Sequence, residues 1–473
     1  MYFRHIYEKG LAQASYIIGC QATKEAIVVD PRRDIQEYLD IAEKEKLEIK
    51  YVTETHIHAD FLSGSRELAA ATGAELLLSA EGGTEWQYQF DHKSLTNGDK
   101  IKVGNIQLEV VHTPGHTPEH ISFLVYDLPA TDKPIMILTG DFVFAGDVGR
   151  PDLLEKAAGI AGTQLQGAKQ MYNSLKWFRS LPDYVQVWPG HGAGSACGKA
   201  LGAVPASTVG YEKLVNWALN IHSEDKFTET LLQGQPEPPR YFAMMKRLNK
   251  SGAEILGSIP LPAKLSINLF RKAFEQNIII VDTRDKLAFA GGHLPGSINI
   301  QDNSSFSTWA GWLLDYENPL ILVTSEERIQ ELTKSLIRIG LDNIYGYVSD
   351  LGQLSGNGFE LETVNQITPN ELYKNRDEYL VIDVRGYTEY DEAHIPGAIN
   401  IHTGYIVENL HKIPADRKIA IHCTSGDRSG IASSLLIKHG YKNIYNLTSG
   451  INGWIQSGFK TETSQPVEMQ VQN

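Results

Sequence analysis

Apolar positions change period along the chain. Short apolar, β-rich runs at 16–18 and 26–30 flank the polar stretch QATKE, which predicts a hairpin. Residues 34–45 have helical spacing, and 49–52 reads as a short strand. Strands and helices then alternate to about residue 200. Residues 85–96 are polar and aromatic and predict a loop or short helix. The stretch QGQPEPPRYF at 233–242 reads as a linker or arm, with a helical piece at 243–249.

The second half repeats itself. IIIVDTRDKLAFAGGHLPGSINI from Ile278 matches LVIDVRGYTEYDEAHIPGAINI from Leu380, and SLIRIGLDNIYGYVSDL from Ser335 matches SLLIKHGYKNIYNLTSG from Ser434. Copies about 100 residues apart are each one small domain long. Each reads as strand, loop, strand, helix, strand, an α/β unit with a mostly parallel sheet.

Composition narrows the function classes. The 473 residues carry a net charge of −14, with 42% hydrophobic and 21% charged residues. Nucleic acids and anionic membranes attract clustered Lys and Arg, so neither is an expected partner. MYFRHIYEKGLAQASYIIGC shows no secretory pattern, and no apolar run approaches the roughly 20 residues of a membrane helix. Three cysteines, Cys20, Cys197 and Cys423, fit individual thiols in a reducing, cytoplasmic setting.

Chemistry concentrates where strands end. THIHAD (55–60) follows the 49–52 strand, HTPGHTPEH (112–120) follows a strand at 106–111, ILTGDFVF ends a strand at Asp141, and WPGHG presents His191 after 185–188. Four strand ends with ligand-type residues can converge on one cation. This set resembles the metallo-β-lactamase superfamily over roughly residues 1–240. The superfamily pattern is HxHxDH, and Phe61 stands here at its last position. Phe cannot ligate a second metal, so a full second site is not expected. The departure favours the persulfide dioxygenase branch, in which one Fe(II) per chain is held by two His and one Asp. Carried over, those ligands are His56, His116 and Asp141, a set suited to non-haem iron and O2 as co-substrate. His58, Asp60 and His191 are expected near the metal without binding it. GDVGRPDL (146–153) resembles a dioxygenase segment in which Arg150 takes a substrate carboxylate; an Arg150–Asp152 pair that only fixes the loop is the other reading. Cys197 is a candidate thiol at the site entrance, or a small buried packing residue.

IHCTSGDRSG (421–430), between a strand and a helix at 430–439, resembles the rhodanese loop C-x-x-G-x-R-S. Cys423 would carry sulfane sulfur as a thiolate, aided by the helix N-terminus and Arg428. Thr424, Ser425, Gly426, Asp427 and Ser429 complete the loop. Aligning the repeats puts Val323 opposite Cys423 and Glu326 opposite Gly426, and retains Arg328. The first copy therefore resembles a rhodanese without its thiol, retained for architecture or docking.

The expected fold is α/β: an αββα metallo-β-lactamase sandwich (1–240), a linker (241–262), an inactive rhodanese-like domain (263–357) and an active one (366–463). This order resembles persulfide dioxygenase–rhodanese fusions. It implies oxidation of a low-molecular-weight thiol persulfide by O2 to sulfite and thiol, with sulfur transfer that makes or uses thiosulfate. Glutathione, coenzyme A, bacillithiol and cysteine persulfides all fit, and a homo-oligomer, dimer or tetramer, is expected. The alternative is a binuclear zinc thioester hydrolase of the glyoxalase II type carrying rhodanese domains.

Overall fold

The computed structural model describes residues 1–153, 155, 163–199 and 201–464. It divides into two compact units, Met1–Pro260 with Lys334–Leu341, and Leu261–Thr333 with Asp342–Asn473.

The first unit holds two six-stranded sheets. One runs in order β1 (Tyr2–Glu8), β2 (Gln13–Gly19), β3 (Glu25–Val29), β4 (Glu48–Thr53), β5 (Glu75–Ser79) and β6 (Lys93–Leu95). The expected hairpin is β2–β3, which pair antiparallel from Tyr16↔Val29 to Gly19↔Ala26. From β3 onward the pairing is parallel. The other sheet joins β7 (Lys100–Val103), β8 (Ile106–His112), β9 (Ile121–Asp127), β10 (Met136–Gly140), β11 (Gln186–Pro189) and β12 (Ser207–Thr208) in the reverse order. β6 lies within 85–96, where the polar sequence hides a three-residue strand.

Alternation along the strands explains the layers. Tyr16, Ile18, Ile27 and Val29 share a buried cluster with Leu108, Val110, Phe123 and Leu138, which is the core between the sheets. The opposite-facing Ile17, Ala26, Val28 and Val52 pack with Tyr38 and Leu68 of the helices Gln36–Glu45 and Ser65–Thr72. Ile137 and Val187 pack with Met171, Leu175 and Phe178 of the helix Thr163–Arg179. The result is the expected αββα sandwich.

One domain boundary differs from expectation. The 241–262 segment is not a linker: the helix Tyr241–Ser251 belongs to the first unit. Its Asn249 donates to the carbonyls of His58 and Phe61 at 2.8 Å each and accepts from the Ser63 amide at 2.9 Å. Within the expected 263–357 domain, Lys334–Leu341 clusters with the first unit. There Arg338 Nε donates to Asp34 Oδ1 at 2.8 Å, and the guanidinium lies 3.1 Å from Glu8. Beside these polar contacts, Tyr241, Phe242 and Met245 of the helix are buried, and the Leu62 N–H donates to the Arg338 carbonyl at 2.6 Å.

The second unit contains two parallel sheets, as the repeat implies. One orders β14 (Ile298–Asn299), β13 (Ile279–Asp282), β15 (Leu320–Val323) and β16 (Ile344–Val348). The other orders β17 (Asn365–Ile367), β21 (Ile444–Leu447), β20 (Lys418–His422), β18 (Tyr379–Asp383) and β19 (Ile399–Asn400). Register corrects the repeat alignment by one residue. Asp282 pairs with Val323 in the first copy, and Asp383 pairs with His422 in the second. Val323 therefore matches His422, and Thr324 stands opposite Cys423. Arg328 is then not the counterpart of Arg428, and it pairs with Asp302. The first copy still lacks a thiol at this position.

Among the described residues no helix is long and apolar enough to cross a membrane. Replacing Asn249 by Ala leaves buried backbone groups unpaired at the His58–Ser63 loop. The expected cost is about 3 kcal/mol, measurable as a lower denaturant midpoint for the first unit.

Candidate metal centre and cysteine loop

Every metal-type residue leaves a strand at the same edge of the sandwich. β4 runs into Glu54–Asp60, β8 into Thr113–His120, β10 into Asp141 and β11 into His191. Backbone hydrogen bonds stitch these exits together: Ile121 N–H to Thr55 C=O, Gly190 N–H to Gly140 C=O, and Ala14 N–H to Gly190 C=O, each 2.8 Å. Gly149 is required by close approach, since a Cβ there would collide with the Asp141 carbonyl.

Donor atoms of His56, His116 and Asp141 all lie within 4.8 Å of one another, and all three residues are buried. His116 Nε2 is 3.5 Å and His56 Nε2 is 3.9 Å from Asp141 Oδ2. Both rings are oriented from behind. The His116 Nδ1–H donates to the Arg150 carbonyl at 3.0 Å. His56 Nδ1 lies 2.9 Å from Thr55 Oγ1, whose hydroxyl donates to Asp30 Oδ2 at 3.0 Å, so the ring is left to donate. Each Nε2 lone pair is thereby turned toward Asp141. Burial pushes both imidazoles below their usual range, His116 to about 3, and so favours the neutral form. Burial raises the Asp141 carboxyl. His56 Nε2 and both Asp141 carboxylate oxygens have no hydrogen-bond partner. Buried, unpaired donors of this kind suit a bound cation.

His58 lies beside the centre in a different state. Burial disfavours its charge, but Asp30, with Oδ1 at 3.0 Å, together with Glu54 and Asp60, outweighs it and raises the group to about 9. Its Nδ1 is buried and has no hydrogen-bond partner. Asp30 also accepts from the Thr55 amide at 2.7 Å, so one carboxylate organises the whole THIHAD turn. The sequence showed Asp30 only as a strand end. His120 was also overlooked: its Nε2 accepts from the Asp141 amide at 3.1 Å and fixes that backbone.

Asp60 and His191 form a second group with Cys197, again with donor atoms within 4.8 Å. His191 Nδ1–H donates to the Ala12 carbonyl, and its Nε2 is 3.2 Å from Asp60 and 3.4 Å from Asp141. Cys197 is thus not at an entrance. It is buried beside Asp141 and Asp60, and burial raises its thiol well above the usual range. Phe61, 0% exposed, packs against the His58 ring at 4.4 Å between centroids.

Arg150 does not offer itself to a carboxylate of substrate. It is 0% exposed, chelates Asp152 at 2.7 and 2.8 Å, and donates to the carbonyls of Ala196 and Pro236. It is the clamp that holds the 150–152 turn beneath His116.

In the second unit Cys423 follows β20, directly before the helix Asp427–Lys438. Gly426, at φ +103°, turns its N–H onto Cys423 Sγ at 3.1 Å, and Ser429 Oγ lies 3.6 Å from the same sulfur. Arg428 is not a free cation: it chelates Glu389 at 2.6 and 2.8 Å and donates to Thr424 Oγ1 at 2.7 Å. Thr424 and Arg428 therefore brace the loop, whereas Ser425 and Asp427 face Lys286 of the first repeat.

The metallo-β-lactamase superfamily model matches residues 9–191, and the rhodanese-like domain model matches 266–350 and 368–457. A metallo-β-lactamase crystal structure from Staphylococcus aureus subsp. aureus COL is 43% identical. It covers 74% of this chain and 99% of its own length at a TM-score of 0.69. The mitochondrial persulfide dioxygenase ETHE1 of Bos taurus is 26% identical over 230 residues, 47% of this chain and 77% of that protein. A hydroxyacylglutathione hydrolase of Rhodospirillum rubrum is 31% identical over 176 residues, 37% of this chain. The chain spans 60% of that hydrolase's length.

Replacing Asp30 by Ala removes the anchor of Thr55 and the partner of His58. Metal affinity is expected to fall about 10- to 100-fold, as read by competition with a chelating dye.

Proposed function

The chain belongs to the metallo-β-lactamase superfamily and carries two rhodanese-like domains, and from that premise we propose that it is an iron-dependent persulfide dioxygenase joined to a sulfurtransferase. One iron per chain would be held by His56, His116 and Asp141. The observation that carries the reading is the pairing, in one chain, of a buried two-His, one-carboxylate set, whose His56 Nε2 and Asp141 oxygens have no hydrogen-bond partner, with a cysteine loop whose Gly426 N–H faces its sulfur. Similarity to the bovine persulfide dioxygenase supports it.

The overall oxidation balances as RSSH + O2 + H2O → RSH + SO3²⁻ + 2H⁺. The terminal sulfur loses four electrons, and O2 takes them. When bound, ferrous iron supplies the redox chemistry by which O2 reaches that sulfur. The protein's part is orientation. Arg150 and Asp30 hold the two imidazoles from behind, and His120 holds the Asp141 backbone. Burial keeps bulk water from the donors.

At the second centre Cys423 would take a sulfane sulfur and pass it on. With sulfite as acceptor the net change is RSSH + SO3²⁻ → RSH + S2O3²⁻, and the reverse supplies persulfide. Gly426 N–H, Ser429 and the helix N-terminus stabilise negative charge on sulfur. The substrates are small: a thiol persulfide, sulfite and thiosulfate.

A second reading rests on Asp60, His191 and Cys197. With Asp141 nearby they could complete a two-metal centre, and hydroxyacylglutathione hydrolases are among the similar proteins. A zinc thioester hydrolase would then be the activity.

O2 uptake by iron-loaded protein given glutathione persulfide, with sulfite formed, is expected, and zinc-loaded protein should show none. Two zincs per chain with thioester hydrolysis would replace the dioxygenase reading. His116→Ala or Asp141→Ala should abolish O2 uptake, by 10³-fold or about 4 kcal/mol, while leaving thiosulfate sulfurtransferase activity. Cys423→Ser should do the reverse.

A further inference from the structure

The first rhodanese-like copy has no thiol, yet one of its side chains reaches the sulfur loop of the second. Lys286 begins the helix Lys286–Gly291, and its backbone N–H is held by Gln301 Oε1 at 2.9 Å. Its ammonium donates to the Ser425 carbonyl at 3.1 Å, 139 residues along the chain, and pairs with the Asp427 carboxylate.

The contact falls on a particular peptide. The bond between Ser425 and Gly426 presents its oxygen to Lys286 and its N–H to Cys423 Sγ, each at 3.1 Å. In a planar trans peptide the C=O and N–H point in opposite directions, so fixing the oxygen fixes the aim of the hydrogen. An ammonium on the oxygen also polarises the peptide and strengthens its N–H as a donor. Arg428 cannot substitute, because Glu389 and Thr424 occupy its guanidinium. Lys286 pairs with Asp427 and Arg428 with Glu389, and the Arg385–Asp383 pair also acts on Glu389 and Arg428.

We propose that Lys286 is a positioning residue of the Cys423 site, holding the Ser425–Gly426 peptide so that its N–H stays directed at the sulfur. The copy without a thiol thereby completes the preorganisation of the copy that has one. This rests on the reading of Cys423 as the sulfur-carrying thiol.

The test compares the full-length wild type with Lys286→Met, Lys286→Arg and the double variant Lys286→Met/Asp427→Asn. One readout is the rate of Cys423 alkylation by iodoacetamide at neutral pH, followed on the Cys423 peptide by mass spectrometry. The other is kcat/KM for sulfur transfer from thiosulfate. Lys286→Met is expected to lower both about tenfold, below the 10²- to 10³-fold cost of deleting such a donor outright. Lys286→Arg keeps a cationic donor and is expected to stay within about threefold of wild type. The double variant should remain as slow as Lys286→Met, because removing the Asp427 charge does not restore the hold on Ser425. Rates for Lys286→Met within about twofold of wild type would overturn the proposal. So would recovery in the double variant, which would reduce Lys286 to a counter-charge. An Arg variant as slow as the Met variant would mark a merely structural role and also overturn it. Absence of sulfur transfer in the wild type would fail the parent reading alone, since alkylation needs no sulfur substrate and still decides on Lys286.

Discussion

The buried Asp141 carboxylate and His56 Nε2, both without a hydrogen-bond partner and set beside His116, are the constraint around which the first unit is arranged. Asp141 is wholly buried, and neither of its oxygens has a hydrogen-bond partner. Burying an unpaired carboxylate costs several kcal/mol; the imidazoles around it, with His191 Nε2 at 3.4 Å, and a cation held among them would offset that cost. The behaviour of the neighbours follows. Desolvation pushes His56 and His116 toward the neutral form, whereas the Asp30 carboxylate shifts His58 the other way.

The supporting layer is as specific as the donors. Arg150 sends its side chain to Asp152 and its carbonyl to His116, which ties a loop and a donor ring to one residue. Asp30 does the same for the turn after β4. The helix Tyr241–Ser251 closes over this turn through Asn249. The second unit repeats the strategy around a thiol. Arg428 and Glu389 brace one side of the loop, and Lys286 with Asp427 braces the other. In both units charged pairs brace the loops that carry these side chains.

Much of this was legible in the residues alone. Donor-type side chains directly after strands, the hairpin at the N-terminus and the Cys423 loop are local features, and their partners are a few positions away. The internal repeat fixed the architecture of the second half, because strands of equal spacing must pair alike. What the residues left ambiguous were roles that need a distant partner. Arg150 could bind a substrate or a loop, and only its burial against Ala196 and Pro236 decides for the loop. Thr324, not Val323, opposes Cys423, because strand register is set by pairing across the sheet.

Tertiary structure alone decided where Cys197 lies. It is more than 130 residues from Asp60 in the chain, yet the fold places its sulfur beside that carboxylate and Asp141. It also decided that Lys286 meets Ser425, and that Asp30 meets His58. The physical reason is common to all three. Periodicity and motif spacing report interactions along the chain, while hydrogen bonds and ion pairs act over about 3 Å in space and carry no sequence signature when their partners come from separate elements. The sequence determined which chemical groups sit at the strand ends; folding determined which of them are neutral, which are charged and what each one faces.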